Sequence, residues 1–398
     1  MLTSLGLIFL VGLSMATICQ KIKLPSIIGM LATGIILGPY LLDLLDASIL
    51  GISAELRQLA LVIILLKAGL SLNLADLKQV GRPALLLSFL PASFEVLAYT
   101  IFAPMILGVS TIEAALMGAV LSAVSPAVVV PRMVQLIEDK IGTKKSIPQM
   151  LLAGASLDDV YVIVLFTTFT SMALGGSANA AAFAQIPVSI LTGLAGGALT
   201  GFLLAKCFTY YHNKGQSVRH SVKVILLLGV GFLLLAAEDL LSGTLAFSGL
   251  LAIMGMACVL RIFTTEGVAA GLSAKFGKLW LAAEVVLFVL VGAAVDIRYT
   301  LSAGISALLM IFVALGIRSV GVFLALLGTT LTRKERLFCI IAYLPKATVQ
   351  AAIGSVPLAL GLSCGPIILS VAVLAILITA PLGAIGMQVT YPLFLEQE

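Results

Sequence analysis

The chain has 398 residues, 61% of them hydrophobic in type and 10% charged, with a mean hydropathy of +1.20; soluble globular proteins run at about 45–50% apolar and 25% charged. So few Asp, Glu, Lys and Arg residues cannot clothe a water-exposed surface of this size, so a soluble fold is excluded and lipid is the solvent. The net charge of +5 lies in short basic clusters between apolar runs, with aromatics at only 7%, which reads as membrane topology and argues against a nucleic-acid partner. Cys19, Cys207, Cys258, Cys339 and Cys364 are scattered singly without a CxxC or a nearby histidine, which excludes a zinc or redox motif. No cofactor is expected.

Apolar windows of about 20 residues predict an all-α polytopic protein with thirteen transmembrane helices. The first span, 3–20, has neither the basic flank nor the small-residue cleavage site of a signal peptide and reads as a retained helix. Further spans follow at 24–42, 56–73, 82–108, 111–134, 147–173, 186–208, 219–240, 244–262, 278–297, 301–330, 335–358 and 366–390. Eighteen of the 23 Lys and Arg residues, from Lys21 to Arg336, fall on alternate connections, whereas the opposite ones carry only Arg57 and Arg298. By the positive-inside rule this places the protein in the cell membrane with its N-terminus outside and its C-terminus in the cytoplasm. The Gly34/Gly38 and Gly197/Gly201 spacings predict close helix packing, and His212 and His220 read as solvated residues of a cytoplasmic loop.

A few ionisable residues fall well inside spans: Lys67, Glu95, Asp158, Asp159, Glu284, Arg318 and Lys346. Each costs about 2.5–3.5 kcal/mol at a helix centre on insertion scales, so each needs a reason to be there. Lys67 and Glu284 lie near the cytoplasmic ends and read as snorkelling anchors. Glu95, Asp158, Arg318 and Lys346 lie 13, 11, 17 and 11 residues into their spans, close to the bilayer midplane. Three carboxylates against two bases leave one uncompensated negative charge in a dry site. A proton can neutralise it, and so can a small hard cation with carboxylate, hydroxyl and carbonyl ligands. A site that holds one or the other, never both, exchanges a cation for a proton.

Two spans carry interruptions, Ser125-Pro126-Ala127-Val128-Val129-Val130-Pro131 and Leu344-Pro345-Lys346-Ala347-Thr348-Val349-Gln350. Their prolines remove the partners of the Ser122, Ala127 and Ile341 carbonyls, and freed backbone at membrane depth is tolerated only where it is buried or lines a polar cavity. Interruptions at corresponding positions of two halves point to a transporter of inverted-topology repeats, residues 1–184 and 215–398, with residues 185–214 as the connecting span. Ser156, on nearly the same helix face as Asp159, is a candidate oxygen ligand, as are Ser125 and Thr348 at the breaks.

The segments Leu24-Pro25-Ser26-Ile27-Ile28-Gly29, Gly34-Ile35-Ile36-Leu37-Gly38-Pro39, Val124 to Pro131, Ala155-Ser156-Leu157-Asp158-Asp159-Val160 and Leu344 to Gln350 resemble the monovalent cation:proton antiporter superfamily, in particular the NHA clade of sodium/proton antiporters. The resemblance runs over essentially the whole chain. It implies a homodimer, a mobile core domain from spans 4–6 and 11–13 in which two broken helices cross, a dimerisation domain from the remaining spans, and elevator-like alternating access. It also implies that Asp159 is the main carrier of Na+ or Li+ and of H+, that Asp158 is tied to a base, and that Glu95, Arg318 and Lys346 compensate charge. Asp-Asp members are often electrogenic. This chain departs from their pattern in having Arg318 on span 11 and an added Glu95, and arginine does not shed its proton in proteins. With Glu95 set against Arg318 and Asp158 against Lys346, Asp159 alone carries charge, and one-for-one electroneutral exchange is expected.

An intramembrane aspartyl protease needs carboxylates on facing helices, which neighbours on one helix cannot supply, and no repeated carbonyl filter of a channel is present. A sodium-coupled solute symporter of related architecture is the alternative reading. Oxygen ligands of these types serve sodium, lithium and potassium alike.

Overall fold

In a computed structural model the described residues are 1–22, 24–71, 81–175, 180–213, 218–241 and 246–397. Among them the regular structure is helical, apart from one isolated bridge between Ile141 and Gln397. The helices are α1 (Leu2–Lys21), α2 (Ser26–Leu37), α3 (Ala47–Gly51), α4 (Ser53–Ser71), α5 (Arg82–Leu87), α6 (Leu90–Leu107), α7 (Thr111–Ser122), α8 (Pro126–Glu138) and α9 (Ile147–Leu174). They continue as α10 (Ala180–Asn213), α11 (His220–Leu241), α12 (Gly249–Phe263), α13 (Glu266–Ala293), α14 (Ile297–Ala325), α15 (Arg333–Ala342), α16 (Thr348–Gly354), α17 (Val356–Ala359) and α18 (Gly365–Phe394).

Each of the thirteen predicted spans falls on one helix or on a run of short ones. Nine helical segments among the described residues are long and apolar enough to cross a membrane, and Ser26–Leu37, Gly249–Phe263 and Thr348–Ala359 are shorter apolar ones. One start is corrected: the tenth span begins not near residue 278 but at Glu266, so Lys275 and Lys278 lie in α13 and not in a connection. A hydropathy window sees only the apolar part of a helix, whereas the backbone can stay helical past the hydrocarbon edge, where charges are solvated.

The chain divides into two compact units. In the first (Met1–Arg57, Asn73–Phe169, Val285–Glu398) backbones approach at small residues, the contact that replaces a hydrophobic driving force in lipid. Gly29 of α2 meets Met15 and Ala16 of α1, and Gly34 and Gly38 meet Val289 and Ala293 of α13. Gly118 of α7 meets Val96 and Tyr99 of α6, and Gly321 of α14 meets Leu90 and Pro91. Val129, Met133, Leu151, Phe338, Tyr343 and Met387 belong to its buried apolar core. In the second unit (Gln58–Leu72, Thr170–Glu284) Gly193, Gly197 and Gly201 of α10 lie on Ser248, Ala252 and Met256 of α12, so the predicted glycine spacings serve packing here as in α2. Lys67 lies over the Trp280 ring at 5.8 Å, within this unit.

Both interruptions predicted from proline are present. α7 stops at Ser122 and α8 starts at Pro126; α15 stops at Ala342 and α16 starts at Thr348. Proline biases its predecessor away from helix, and Ser125 is extended at φ −85°, ψ 111°. The leading half of each pair opens on the same device, a capping box: Ser110 with Glu113 in α7, Thr332 with Glu335 in α15.

Candidate functional site

All site residues described here belong to the first unit. The two breaks meet through the backbone, where Ser125 N–H donates to the Pro345 carbonyl at 2.8 Å. Around this junction α6 supplies Glu95, α9 supplies Asp158 and Asp159, α14 supplies Arg318 and the second break supplies Lys346, each no more than 6% exposed.

Arg318 is the hub. Its Nη1 donates to Glu95 Oε2 at 2.7 Å and to the Ser122 carbonyl, and its Nε donates to the Tyr343 carbonyl at 2.7 Å. Its Nη2 lies 3.8 Å from Asp158 Oδ2. One guanidinium thereby caps the ends of α7 and α15, where carbonyls concentrate negative partial charge. The Ser122 carbonyl, freed by Pro126 as expected, finds its partner here; the Ile341 carbonyl, freed by Pro345, accepts from Leu344 N–H at 3.3 Å.

The pairing of the charges differs from the sequence expectation. Lys346 Nζ donates to Glu95 Oε2 at 2.5 Å, so Glu95 and not Asp158 answers the lysine. Asp158 instead accepts the Val124 N–H at 2.6 Å on Oδ2 and faces Arg318. The reason is local: the first break exposes an N–H directly beside α9, and a carboxylate is its strongest acceptor. Glu95, Arg318, Lys346 and Asp158 thus form one connected set of two acids and two bases.

Asp159 stays outside that set. It is 6% exposed, and its Oδ1 has no hydrogen-bond partner among the described residues. The same holds for Asp158 Oδ1, Ser125 Oγ, Thr348 Oγ1 and the Tyr343 hydroxyl, all of them buried. Buried polar groups ordinarily have a partner, from protein or from water, so these five oxygens are open to a partner that the described residues do not supply. The side chain of Ser156 lies outside the described residues. Among the described residues no three His, Cys, Asp or Glu side chains cluster as a metal site would require.

Three groups of the site had not been singled out from sequence. Gln350 is fully buried; its Oε1 accepts Ala347 N–H at 2.8 Å and its Nε2 donates to the Ala123 and Leu121 carbonyls at 2.7 and 3.3 Å. Thr379 Oγ1 accepts the Lys346 N–H at 2.8 Å. The Arg318 guanidinium lies over the Tyr343 ring at 5.7 Å, and the Tyr343 hydroxyl fills the space a side chain at Gly154 would need. Gln350 carried a signal, an amide inside an apolar span beside a break. Thr379 carried none, because a hydroxyl in a membrane helix ordinarily bonds its own backbone.

A family model described as sodium/hydrogen exchanger, transmembrane, matches residues 6–390. The chain is 34% identical to sodium/hydrogen exchanger 9B2 of Xenopus tropicalis over 87% of its length and 64% of the relative's. It is 32% identical to the human protein of that name over 94% of its length and 70% of the relative's. It therefore spans about two thirds of the length of these relatives. The solved structure of the sodium proton antiporter MjNhaP1 from Methanocaldococcus jannaschii at pH 8 superposes with a TM-score of 0.83 at 24% identity, covering 99% of this chain and 98% of that one, which shows the fold. A second structure of that antiporter, from electron microscopy, gives a TM-score of 0.72 at 25% identity.

Proposed function

The chain belongs to the sodium/hydrogen exchanger family of membrane transporters, which are carriers and not enzymes, and from that premise we propose that it exchanges Na+ or Li+ for H+ by alternating access, with cation and proton competing for Asp159. The observation that carries this reading is the contrast at the junction. Asp158, Glu95, Arg318 and Lys346 sum to zero charge, whereas Asp159 is buried, pairs with no base among the described residues, and carries an oxygen without a hydrogen-bond partner among them, as do Asp158, Ser125 and Thr348. Asp159 must then hold a proton or a cation. Ser125, Thr348 and the free oxygen of Asp158 are ligands of the right hardness for a small monovalent ion, and Ser156 completes the proposed set.

The regrouped pairs leave the charge sum unchanged, so one Na+ exchanges for one H+ and transport is electroneutral. The paired capping boxes and the paired breaks favour inverted repeats of six spans around a connector, thirteen spans in all. On this reading the core is spans 4–6 and 11–13, the remaining spans form the homodimer contact, and the C-terminus is cytoplasmic.

The test is proton flux in proteoliposomes carrying an internal pH dye, pulsed with NaCl, LiCl, KCl and choline chloride. Sodium or lithium should drive proton movement, and Asp159→Asn should abolish it. Asp158→Asn, which keeps an oxygen for the Val124 N–H, should retain measurable exchange. Wild-type flux in Asp159→Asn, or a sodium response that follows an imposed membrane potential, contradicts this assignment.

A further inference from the structure

We infer that Gln350 is a positioning residue that sets which monovalent cation the junction accepts, by holding the two broken helices at a fixed separation. The inference rests on the exchange reading above. Gln350 sits on α16, one turn past the second break, yet its amide nitrogen reaches the Ala123 and Leu121 carbonyls at the first. Its amide oxygen meanwhile holds the Ala347 N–H of its own break. A single buried side chain is thereby bonded to backbone on both sides of the junction that Ser125 and Thr348 border.

Two consequences follow from the chemistry of a neutral amide. First, it adds no charge, so the charge sum that leaves Asp159 alone is untouched. Second, its two N–H groups occupy carbonyl oxygens that are otherwise good ligands for an alkali cation. Ser122 between them is occupied by Arg318. All three carbonyls at the end of α7 are therefore engaged, and the ion is left with hydroxyl and carboxylate oxygens. Selectivity among ions of equal charge depends on the number and spacing of oxygen ligands. Removing the amide frees Leu121 and Ala123 carbonyls and loosens the junction, which favours a larger ion.

Gln350→Met keeps the length and removes every hydrogen bond, and Gln350→Leu does so with a shorter side chain; neither adds a charge. In proteoliposomes the ratio of KM for Li+ to KM for Na+ should rise in both variants by about five-fold or more, five-fold being the size expected for a single lost hydrogen bond, with maximal rates changed less. Potassium should begin to compete. A purely structural role would lower the rate for all ions alike and leave the ratio fixed, and that outcome overturns the inference.

A variant too unstable to transport is assessed by the melting temperature of the purified protein in NaCl, LiCl, KCl and choline chloride. The order of stabilisation by the cations should change from wild type if Gln350 sets selectivity and stay the same if it does not. Wild type that moves no protons with any cation removes the exchange reading, while a cation-specific melting shift that is reordered in Gln350→Met still supports the assignment to Gln350; identical shifts in both overturn it.

Discussion

The two helix breaks are built alike and anchored differently. Each follows a helix that opens on a capping box and resumes at or shortly after a proline, and the Arg318 guanidinium caps a carbonyl at both, Ser122 and Tyr343. At the first break, however, the liberated N–H of Val124 goes to an acidic side chain, Asp158, at 2.6 Å. At the second the N–H groups of Lys346 and Ala347 go to neutral ones, the Thr379 hydroxyl and the Gln350 amide, both at 2.8 Å. The charge at the second break lies instead on a side chain, Lys346, which reaches across to Glu95. This difference accounts for the divergence of two adjacent carboxylates: the first break and Arg318 commit Asp158, and among the described residues no base or backbone N–H is found on Asp159 in the same way.

The comparison is broken most severely at the one group common to both breaks. Arg318→Met leaves the Ser122 and Tyr343 carbonyls without a donor, and Asp158 without its base. Removing one member of a buried ionic set costs about 3–5 kcal/mol. The purified variant should melt far below wild type, and Arg318→Lys should fall between them, because an ammonium cannot reproduce the planar fork that serves three acceptors at once. Equal melting of Arg318→Met and wild type removes Arg318 as the hub.

How much of this was legible follows from the kind of signal each group carries. Charged residues in apolar spans stand out because lipid makes them costly, so Glu95, Asp158, Asp159, Arg318 and Lys346 could be named, and the structure brings them to one junction in one unit. Their partners could not be read, since depth along a span does not give the rotation of one helix against another. Lys346 was set against Asp158 for that reason, whereas its Nζ lies on Glu95. Breaks were legible because proline lacks an N–H. The groups that mend them, Gln350 and Thr379, were not, because a hydroxyl or amide shows its partner only once the helices are packed. The fold was legible at the level of helices, and the start of α13 was missed where the helix outruns its apolar stretch.

A finer test addresses the neutral anchor alone. Thr379→Val is isosteric and leaves every charge in place, but it strands the Lys346 N–H in a site where Thr379 is fully buried. An unsatisfied buried donor costs about 1–3 kcal/mol, so the melting temperature should drop measurably while the requirement for Asp159 persists. If the loss instead equals that of Arg318→Met, the two anchors are not of different weight, and the contrast between the breaks fails.

The smallest effect lies outside the junction, where the leading half of the second broken helix is tied to a connection. Lys145 Nζ bonds both oxygens of Glu335, the capping residue of α15, at 2.8 and 2.9 Å. That hydrogen-bonded carboxylate holds the Lys145 ammonium above its ordinary range. A base whose value is raised by folding contributes its stability in full below the unfolded lysine value of about 10.4 and loses it as pH rises through the folded one. Glu335 is buried but the ammonium is partly exposed, so solvent screens the pair, and Lys145→Met should lower the melting temperature at neutral pH by less than Thr379→Val does. The difference from wild type should vanish at strongly alkaline pH. The capping residue of the first broken helix, Glu113, accepts from the Ser363 hydroxyl at 2.9 Å, a donor that does not titrate, and is also bonded by the Cys364 thiol. Ser363→Ala should therefore show no comparable alkaline convergence, and the same pH series measures both variants.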